Sequence, residues 1–216
     1  MSYQNAIWDF DGTLYDTYPV MMTALSQVYR DHQVAVDQSH LYQAIKQTSI
    51  KRELQMLAQQ TNVSFEQLDR EYHELEHQLQ QTPQPYPGAA AILKQISAHG
   101  QNFLLTHRDD AAEKFLAAHG LADYFTEIVT SQSGFARKPA PDSLNNLCDR
   151  YQLDKTKTVM IGDRALDIEA GINAHVATAY FDVDRLPIMV QPTITITQLS
   201  ALGKYFFKLR KAVSTN

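Results

Sequence analysis

Short apolar segments alternate with helical segments along the second half of the chain, and this alternation constrains the fold most strongly. The pattern predicts strands near 102–106, 127–130, 158–161, 177–180 and 193–197, and helices near 89–99, 111–119, 142–151, 165–173 and 199–212. An apolar segment at 6–10 predicts one further strand. Strands that alternate with helices favour a parallel sheet with helices on both faces. We therefore expect an α/β protein with a Rossmann-like, doubly wound parallel sheet.

Residues 17–86 interrupt this alternation and predict an inserted all-helical domain. Glutamine is frequent there, and neither glycine nor proline occurs between Val20 and Thr82. Helices are predicted near 18–31, 38–47, 50–60 and 64–80, with breaks or caps at Asn62 and Ser64. Three prolines at 83, 85 and 87 then exclude a continuing helix. The expected organisation is a core domain of residues 1–16 and 87–216 and a helical cap domain of residues 17–86.

The predicted first strand ends in two closely spaced carboxylates, Asp9 and Asp11, followed by Gly12 and Thr13. Side chains two residues apart in an extended strand project from the same face. Like charges held close together need a compensating cation, and carboxylate oxygens beside a phosphate suit Mg²⁺. Gly12 permits a turn with positive φ or a close approach to a ligand. The segment predicts a metal-assisted phosphate site, although solvated aspartates after an edge strand would look similar.

Other polar residues follow predicted strands in the same way. Thr106 follows Leu105, and Asp163 follows Gly162. In doubly wound α/β proteins, ligands bind outside the carboxyl ends of the strands. Because the aspartates of the first strand also fall at such an end, we expect these side chains to form one site.

Four segments carry the candidate site residues in order along the chain: Asp9-Phe10-Asp11-Gly12-Thr13-Leu14, Leu105-Thr106, Lys138-Pro139 and Gly162-Asp163-Arg164-Ala165-Leu166-Asp167. This arrangement is similar to the four ordered motifs of the haloacid dehalogenase superfamily. The chain resembles the branch that contains phosphoglycolate phosphatases and β-phosphoglucomutases, which has a helical cap inserted after the first motif. The resemblance covers nearly the whole chain, and four ordered motifs make it specific.

This resemblance implies catalytic roles for Asp9, Asp11, Thr106 and Lys138. Asp9 is expected to attack phosphorus and form an aspartyl-phosphate. Asp11 would protonate the leaving oxygen and later deprotonate the attacking water; dehalogenase relatives typically lack an aspartate there. Thr106 would donate a hydrogen bond to a phosphoryl oxygen, and Lys138 would bridge the nucleophile and the phosphate.

The resemblance also implies a Mg²⁺ site formed by Asp9, Asp11, Asp163 and Asp167. Asp163 is expected to ligate the metal directly, together with Asp9 and the backbone carbonyl of Asp11. Asp167 would orient waters or the motif lysine from a greater distance. Alternatively, Asp167 is an ordinary first-turn aspartate that the helix dipole favours.

The substrate-binding candidates are Gly12, Thr13, His107, Arg108, Lys51 and Arg52. His107 would contribute its backbone N–H beside the Thr106 hydroxyl, whereas Arg108 could contact substrate or be solvated. Lys51 and Arg52 lie in a cap segment that loosely resembles the substrate-facing segment of the family. Such residues are more often solvated helix charges.

Composition argues against several other functions. The formal net charge of −5 leaves no broad basic surface for nucleic acid. The single cysteine, Cys148, rules out an internal disulfide and predicts a buried structural thiol. No segment approaches the roughly 18 apolar residues of a membrane span, and the N-terminus does not resemble a signal peptide. We expect a cytoplasmic monomer or weak homodimer whose partner is a small phosphorylated metabolite.

The leading hypothesis is a Mg²⁺-dependent phosphatase, similar to phosphoglycolate phosphatases, that acts on a small phosphorylated metabolite. A phosphomutase of the β-phosphoglucomutase type shares the motifs but needs a phosphoenzyme that outlives the departure of its intermediate. A non-catalytic binding or regulatory protein would be expected to lose the nucleophile, the lysine or a metal carboxylate, and none is missing.

Overall fold

The computed structural model describes residues 2–79 and 83–207 and contains a six-stranded parallel sheet. The strands are β1 (Asn5–Trp8), β2 (Asn102–Leu105), β3 (Phe125–Val129), β4 (Thr158–Gly162), β5 (Ala177–Phe181) and β6 (Ile194–Ile196). Their order is β3-β2-β1-β4-β5-β6, with Trp8 opposite Leu104 on one side and Ile161 on the other. Because the order reverses at β1, the carboxyl edge beside this strand is where such a fold positions a ligand site.

Helices connect these strands and also form the inserted segment. They are α1 (Tyr18–Asp31), α2 (Gln38–Gln47), α3 (Ile50–Thr61), α4 (Phe65–Leu79), α5 (Ala89–Ser97), α6 (Ala111–Ala118), α7 (Asp142–Arg150), α8 (Ala165–Asn173) and α9 (Gly203–Phe206). Among the described residues, none of the helices has both the length and the apolar character needed to cross a membrane.

Strands β1 to β4 contribute side chains to two separate apolar layers. In β1, Trp8 belongs to the layer that contains Leu93 of α5, whereas Ile7 belongs to the layer that contains Leu147 of α7. This alternation follows from the two-residue period of a strand. The sheet therefore has helices on both faces, which confirms the predicted doubly wound α/β class. Cys148 is buried in the second layer, as predicted for a structural thiol.

The described residues separate into two compact units. One comprises residues 2–15 and 85–207, and the other comprises residues 16–79 and 83–84. The second unit contains α1 to α4 around a core that includes Leu25, Leu54 and Leu68. Asn62 ends α3 with φ of 57°, and the Ser64 hydroxyl accepts the backbone N–H of Gln67 at 3.2 Å. The predicted break and cap are therefore confirmed.

Several predicted boundaries are wrong. β1 ends at Trp8 rather than residue 10, because the chain turns there and the Phe10 carbonyl accepts the backbone N–H groups of Leu14 and Tyr15. β3 begins at Phe125 after a 3₁₀ turn, not at residue 127. The last predicted helix is a 3₁₀ turn (Leu199–Leu202) followed by the short α9, with extended backbone at Phe207. Its predicted portion at 208–212 lies outside the described residues.

Candidate active site

Three aspartates meet at the carboxyl edge of the sheet, where β1 and β4 lie side by side. Asp9 follows β1, Asp163 follows β4, and Asp167 lies in the first turn of α8. They are 8%, 2% and 0% exposed, and each offers a carboxylate oxygen within 4.8 Å of the other two. Gly162 permits this approach, because a Cβ at that position would overlap the Asp167 side chain. Strand adjacency therefore creates a buried cluster of three carboxylates.

Lys138 provides a positive charge within this cluster. The residue lies in the loop between β3 and α7, and its side chain is almost fully buried. Its Nζ lies 2.5 Å from Asp9 Oδ1 and 2.6 Å from Asp167 Oδ1, and it donates to the Leu105 carbonyl at 3.1 Å. The ammonium donates hydrogen bonds to Asp9 and to the Leu105 carbonyl, and it forms an ion pair with Asp167. The lysine is therefore held in one position against Asp9.

Burial and charge shift the ionisation of this cluster. Burial raises the pKa of the Asp9 carboxyl well above its ordinary value, while Lys138 acts in the opposite direction. Burial also raises the pKa of Asp167. The pKa of Lys138 lies above its ordinary value, because Asp167 and Asp9 outweigh the effect of its own burial. The ammonium thus remains charged beside the carboxylates.

The charges of the cluster fit a divalent cation. With the three aspartates ionised, one ammonium leaves two negative charges uncompensated inside the protein. Buried charges require a partner or a metal ion, and hard divalent cations prefer carboxylate oxygens. Asp9, Asp163 and Asp167 are therefore the described residues whose carboxylates could hold a metal.

Thr13 connects two members of this cluster. Its hydroxyl oxygen lies 3.0 Å from Asp163 Oδ1 and 3.4 Å from Asp9 Oδ2, and the residue is fully buried. A hydroxyl carries a single hydrogen, so it donates to one carboxylate at a time. In this structure Thr13 therefore orients carboxylates, whereas the sequence placed it among the substrate-binding candidates.

Thr106 is buried directly after β2, at the same edge of the sheet. Its backbone N–H donates to the Val129 carbonyl at 2.9 Å, which ties it to the end of β3. Its hydroxyl oxygen accepts the backbone N–H of Arg108 at 3.0 Å. The hydroxyl hydrogen is not used in that contact, so it can still be donated to a ligand.

The carboxylate of Asp11 is not part of the acidic cluster. It pairs instead with Arg108, whose Nη2 lies 2.8 Å from Asp11 Oδ1. The expectation of an extended strand through Asp11 is wrong, because β1 ends at Trp8 and the chain then turns, with a φ of 78° at Gly12. Only the backbone carbonyl of Asp11 remains a candidate ligand from this residue.

His107 holds the backbone of Lys138. Its Nε2 accepts the Lys138 backbone N–H at 2.9 Å, so the other ring nitrogen carries the proton of the neutral imidazole. Burial, assisted by the positive charges of Lys138, Arg137 and Arg164, lowers the pKa of His107 to about 2. The sequence predicted a role only for the backbone N–H of His107. No spacing rule could have revealed this contact across 31 residues.

Lys51 and Arg52 lie in α3 of the helical unit and are exposed. The Lys51 ammonium lies 5.7 Å from the centre of the Phe65 ring, and the Arg52 backbone N–H donates to the Ser49 hydroxyl at 3.1 Å. Their proposed contact with substrate stays a prediction.

Comparisons with known proteins point to one group of enzymes. The family model described as haloacid dehalogenase-like hydrolase matches residues 6–181. A phosphoglycolate phosphatase of Vibrio vulnificus strain CMCP6 is 30% identical over 191 residues, which span 79% of this chain and 80% of that protein. The crystal structure of a hydrolase from Streptococcus pneumoniae TIGR4 is 31% identical, with a TM-score of 0.61 over 94% of this chain and 98% of that one.

A second solved structure shows the same fold at lower identity. It is a predicted phosphoglycolate phosphatase from Haemophilus somnus 129PT, with a TM-score of 0.80 and 19% identity. The likeness covers 94% of this chain and 98% of the other.

Proposed function

Because the chain belongs to the haloacid dehalogenase-like hydrolase family, we propose that it is a phosphatase that hydrolyses a small phosphate monoester through an aspartyl-phosphate at Asp9. The observation that carries this proposal is the buried contact of Asp9 with Lys138, beside Asp163 and Asp167. A carboxylate that is fixed by an ammonium at a strand end is suited to attack phosphorus in line.

Two side chains are positioned to stabilise charge on a phosphate that approaches Asp9. Lys138 supplies a fixed positive charge at 2.5 Å from Asp9 Oδ1, and the Thr106 hydroxyl has a hydrogen to donate. Fixed donors of this kind lower the free energy of the transition state without reorganising during the reaction. Both roles follow from the positions of the side chains at the carboxyl edge of the sheet.

We propose Mg²⁺ as the cofactor, held by carboxylates of Asp9 and Asp163 and by the Asp11 carbonyl, with Asp167 fixing Lys138. The uncompensated negative charge of the buried aspartates supports this choice. When bound, Mg²⁺ would offset the negative charge of the phosphate group. Within the chain itself, the Thr13 hydroxyl lies between the carboxylates of Asp163 and Asp9 and donates to one of them at a time.

Proton transfer is assigned to Asp11, whose carboxylate lies outside the acidic cluster and is 22% exposed. It would protonate the leaving oxygen when the aspartyl-phosphate forms and take a proton from water when it is hydrolysed. The two aspartates thus have different proposed tasks. Asp9, which is paired with Lys138, attacks phosphorus, and Asp11, which is paired with Arg108, transfers the proton.

The substrate that we propose to test first is phosphoglycolate, because the relative from Vibrio vulnificus is a phosphoglycolate phosphatase. Phosphate release should be measured for phosphoglycolate, sugar phosphates, nucleoside monophosphates and a nitrophenyl ester, with Mg²⁺ and with chelator. Metal-dependent release from at least one ester is expected. Absence of release from every ester by folded protein would overturn the proposal, and turnover only with an added bisphosphate would favour a phosphomutase.

The nucleophile is tested by Asp9→Asn, which keeps the size of the side chain and removes its charge. Phosphate release should fall to the level without enzyme. The matched control is Asp123→Asn, since Asp123 is exposed in the 3₁₀ turn before β3 and should tolerate the same change without loss of activity. Full activity of the Asp9→Asn protein would contradict the mechanism.

A further inference from the structure

Arg108 forms a multiply bonded ion pair with Asp11. Its Nε donates to Asp11 Oδ1 at 3.0 Å and to Oδ2 at 3.3 Å, and its Nη2 donates to Oδ1 at 2.8 Å. The Arg108 side chain is only 8% exposed. A planar guanidinium that makes several bonds to one carboxylate restricts its orientation as well as pairing its charge. The Asp11 carboxylate is therefore held in a defined direction.

The backbone of Arg108 is itself anchored at both ends of the residue. Its N–H donates to the Thr106 hydroxyl oxygen at 3.0 Å, and its carbonyl accepts the Ser131 backbone N–H at 2.9 Å. Thr106 is tied in turn to the Val129 carbonyl at the end of β3. The guanidinium thus projects from a backbone segment that is hydrogen-bonded to Thr106, at the end of β2, and to Ser131.

The bonds from Arg108 fall unequally on the two oxygens of Asp11. Oδ1 accepts from both Nε and Nη2, whereas Oδ2 accepts only the longer bond from Nε. Each carboxylate oxygen has about two lone-pair sites. The contacts with Arg108 therefore occupy Oδ1 and leave Oδ2 with a lone pair to exchange a proton.

We propose that Arg108 is a positioning residue that holds the Asp11 carboxylate so that Oδ2 carries the proton in both halves of the phosphatase reaction. This inference rests on the function proposed above. Of the two sequence-based alternatives for Arg108, the solvated side chain does not agree with its burial and its pairing with Asp11, whereas contact with substrate stays a prediction.

The proton balance of the two halves is simple. In the first half, Asp9 bonds to phosphorus, the ester P–O bond breaks, and the leaving oxygen takes the proton from Asp11 Oδ2. In the second half, a water oxygen bonds to phosphorus, Asp9 departs as a carboxylate, and Oδ2 takes a proton from that water. Asp11 gives and regains one proton per turnover. Without the Arg108 side chain, the Asp11 side chain can adopt other rotamers, in which Oδ2 is misplaced.

A nitrophenyl phosphate ester separates these two halves. Nitrophenolate leaves without being protonated, so formation of the aspartyl-phosphate needs no acid, and this step determines kcat/KM. Hydrolysis of the aspartyl-phosphate needs Asp11 as a base, and this step limits kcat. Arg108→Met removes the donors while keeping an unbranched side chain. We expect kcat to fall about 10- to 100-fold, within the range of general acid–base contributions, while kcat/KM changes by less than about threefold. An alkyl phosphate should lose kcat/KM as well.

Two further variants sharpen this test. Arg108→Lys keeps the charge but has a single nitrogen, so its kcat should lie between those of wild type and Arg108→Met. Arg150→Met is the matched control, because Arg150 also pairs with a carboxylate, that of Glu127 at 3.0 Å, but is 62% exposed. That control should leave both kinetic parameters unchanged. Circular dichroism verifies that each variant is folded.

A double-mutant cycle with Asp11→Asn decides whether Arg108 acts through Asp11. In the Asp11→Asn background, Arg108→Met should lower kcat by less than about twofold, because the proton carrier is already absent. Additive losses, or an Arg108→Met protein with unchanged kcat, would overturn the positioning role. The phosphatase proposal is judged separately, by turnover of wild type and its loss in Asp9→Asn. If Arg108→Met does not fold, Arg108→Lys carries the same comparison.

Discussion

Acid should destabilise wild type relative to a His107→Gln variant. In the folded protein, burial and neighbouring cations lower the pKa of His107 to about 2, whereas an unperturbed histidine has a pKa of 6.5. Between these two values the unfolded chain binds a proton at His107 that the native state does not. The free energy of unfolding therefore decreases as the pH falls. A glutamine amide oxygen can accept the Lys138 N–H in place of Nε2 but does not titrate.

The magnitude follows from proton linkage. Between about pH 7.5 and pH 5.5, the protonation of unfolded His107 removes about 1.4 kcal/mol from the stability of wild type. This value requires only that the folded pKa lies well below 5.5, so it does not depend on the full shift. Other titrating groups contribute equally to both proteins and cancel in the difference between them.

Urea unfolding followed by tryptophan fluorescence measures this difference. Trp8 is the sole tryptophan, is fully buried, and belongs to the same unit as His107. In chelator, the free energy of unfolding of wild type minus that of His107→Gln should fall by about 1.4 kcal/mol between the two pH values. An unchanged difference would refute the reasoning, because it would mean that His107 is protonated equally in the folded and unfolded states.

Two substitutions test the packing beneath the site. Gly162→Ala should lower the free energy of unfolding by about 1–3 kcal/mol and reduce kcat, because the added Cβ would displace the Asp167 side chain from Lys138. Urea unfolding measures the first effect and phosphate release the second. Wild-type values for both would contradict this prediction. Asn102→Val should cost about 1–3 kcal/mol, because the Trp8 indole N–H loses its acceptor at 2.9 Å, and an unchanged urea midpoint would argue against that.

The sequence was sufficient to place most of the acidic site. Asp9 and Asp163 follow apolar strands, and parallel strands that lie side by side bring their carboxyl ends together whatever their separation in the chain. The four-residue spacing of Asp163 and Asp167 at a helix start also places them near each other. The buried cluster therefore follows from local patterns and one topological rule.

Other features could not be read from local patterns. The two-residue period of a strand holds only while the strand continues, and β1 ends at Trp8, before Asp9 and Asp11. The pairing of Asp11 with Arg108 joins residues 97 positions apart, and the Leu105 carbonyl that accepts from Lys138 is a backbone group with no sequence signal. Such contacts depend on the folded geometry.

The central claim, nucleophilic attack by Asp9, is tested most directly by trapping the intermediate. Wild type and Asp11→Asn should be mixed with nitrophenyl phosphate and Mg²⁺, quenched in acid within one turnover, digested and analysed by mass spectrometry. We predict a hydroxylamine-labile phosphoryl group on the peptide that contains Asp9, more abundant in Asp11→Asn because hydrolysis of the intermediate is slowed. Phosphate release with no such peptide in either protein, or a phosphoryl group on another residue, would contradict the account.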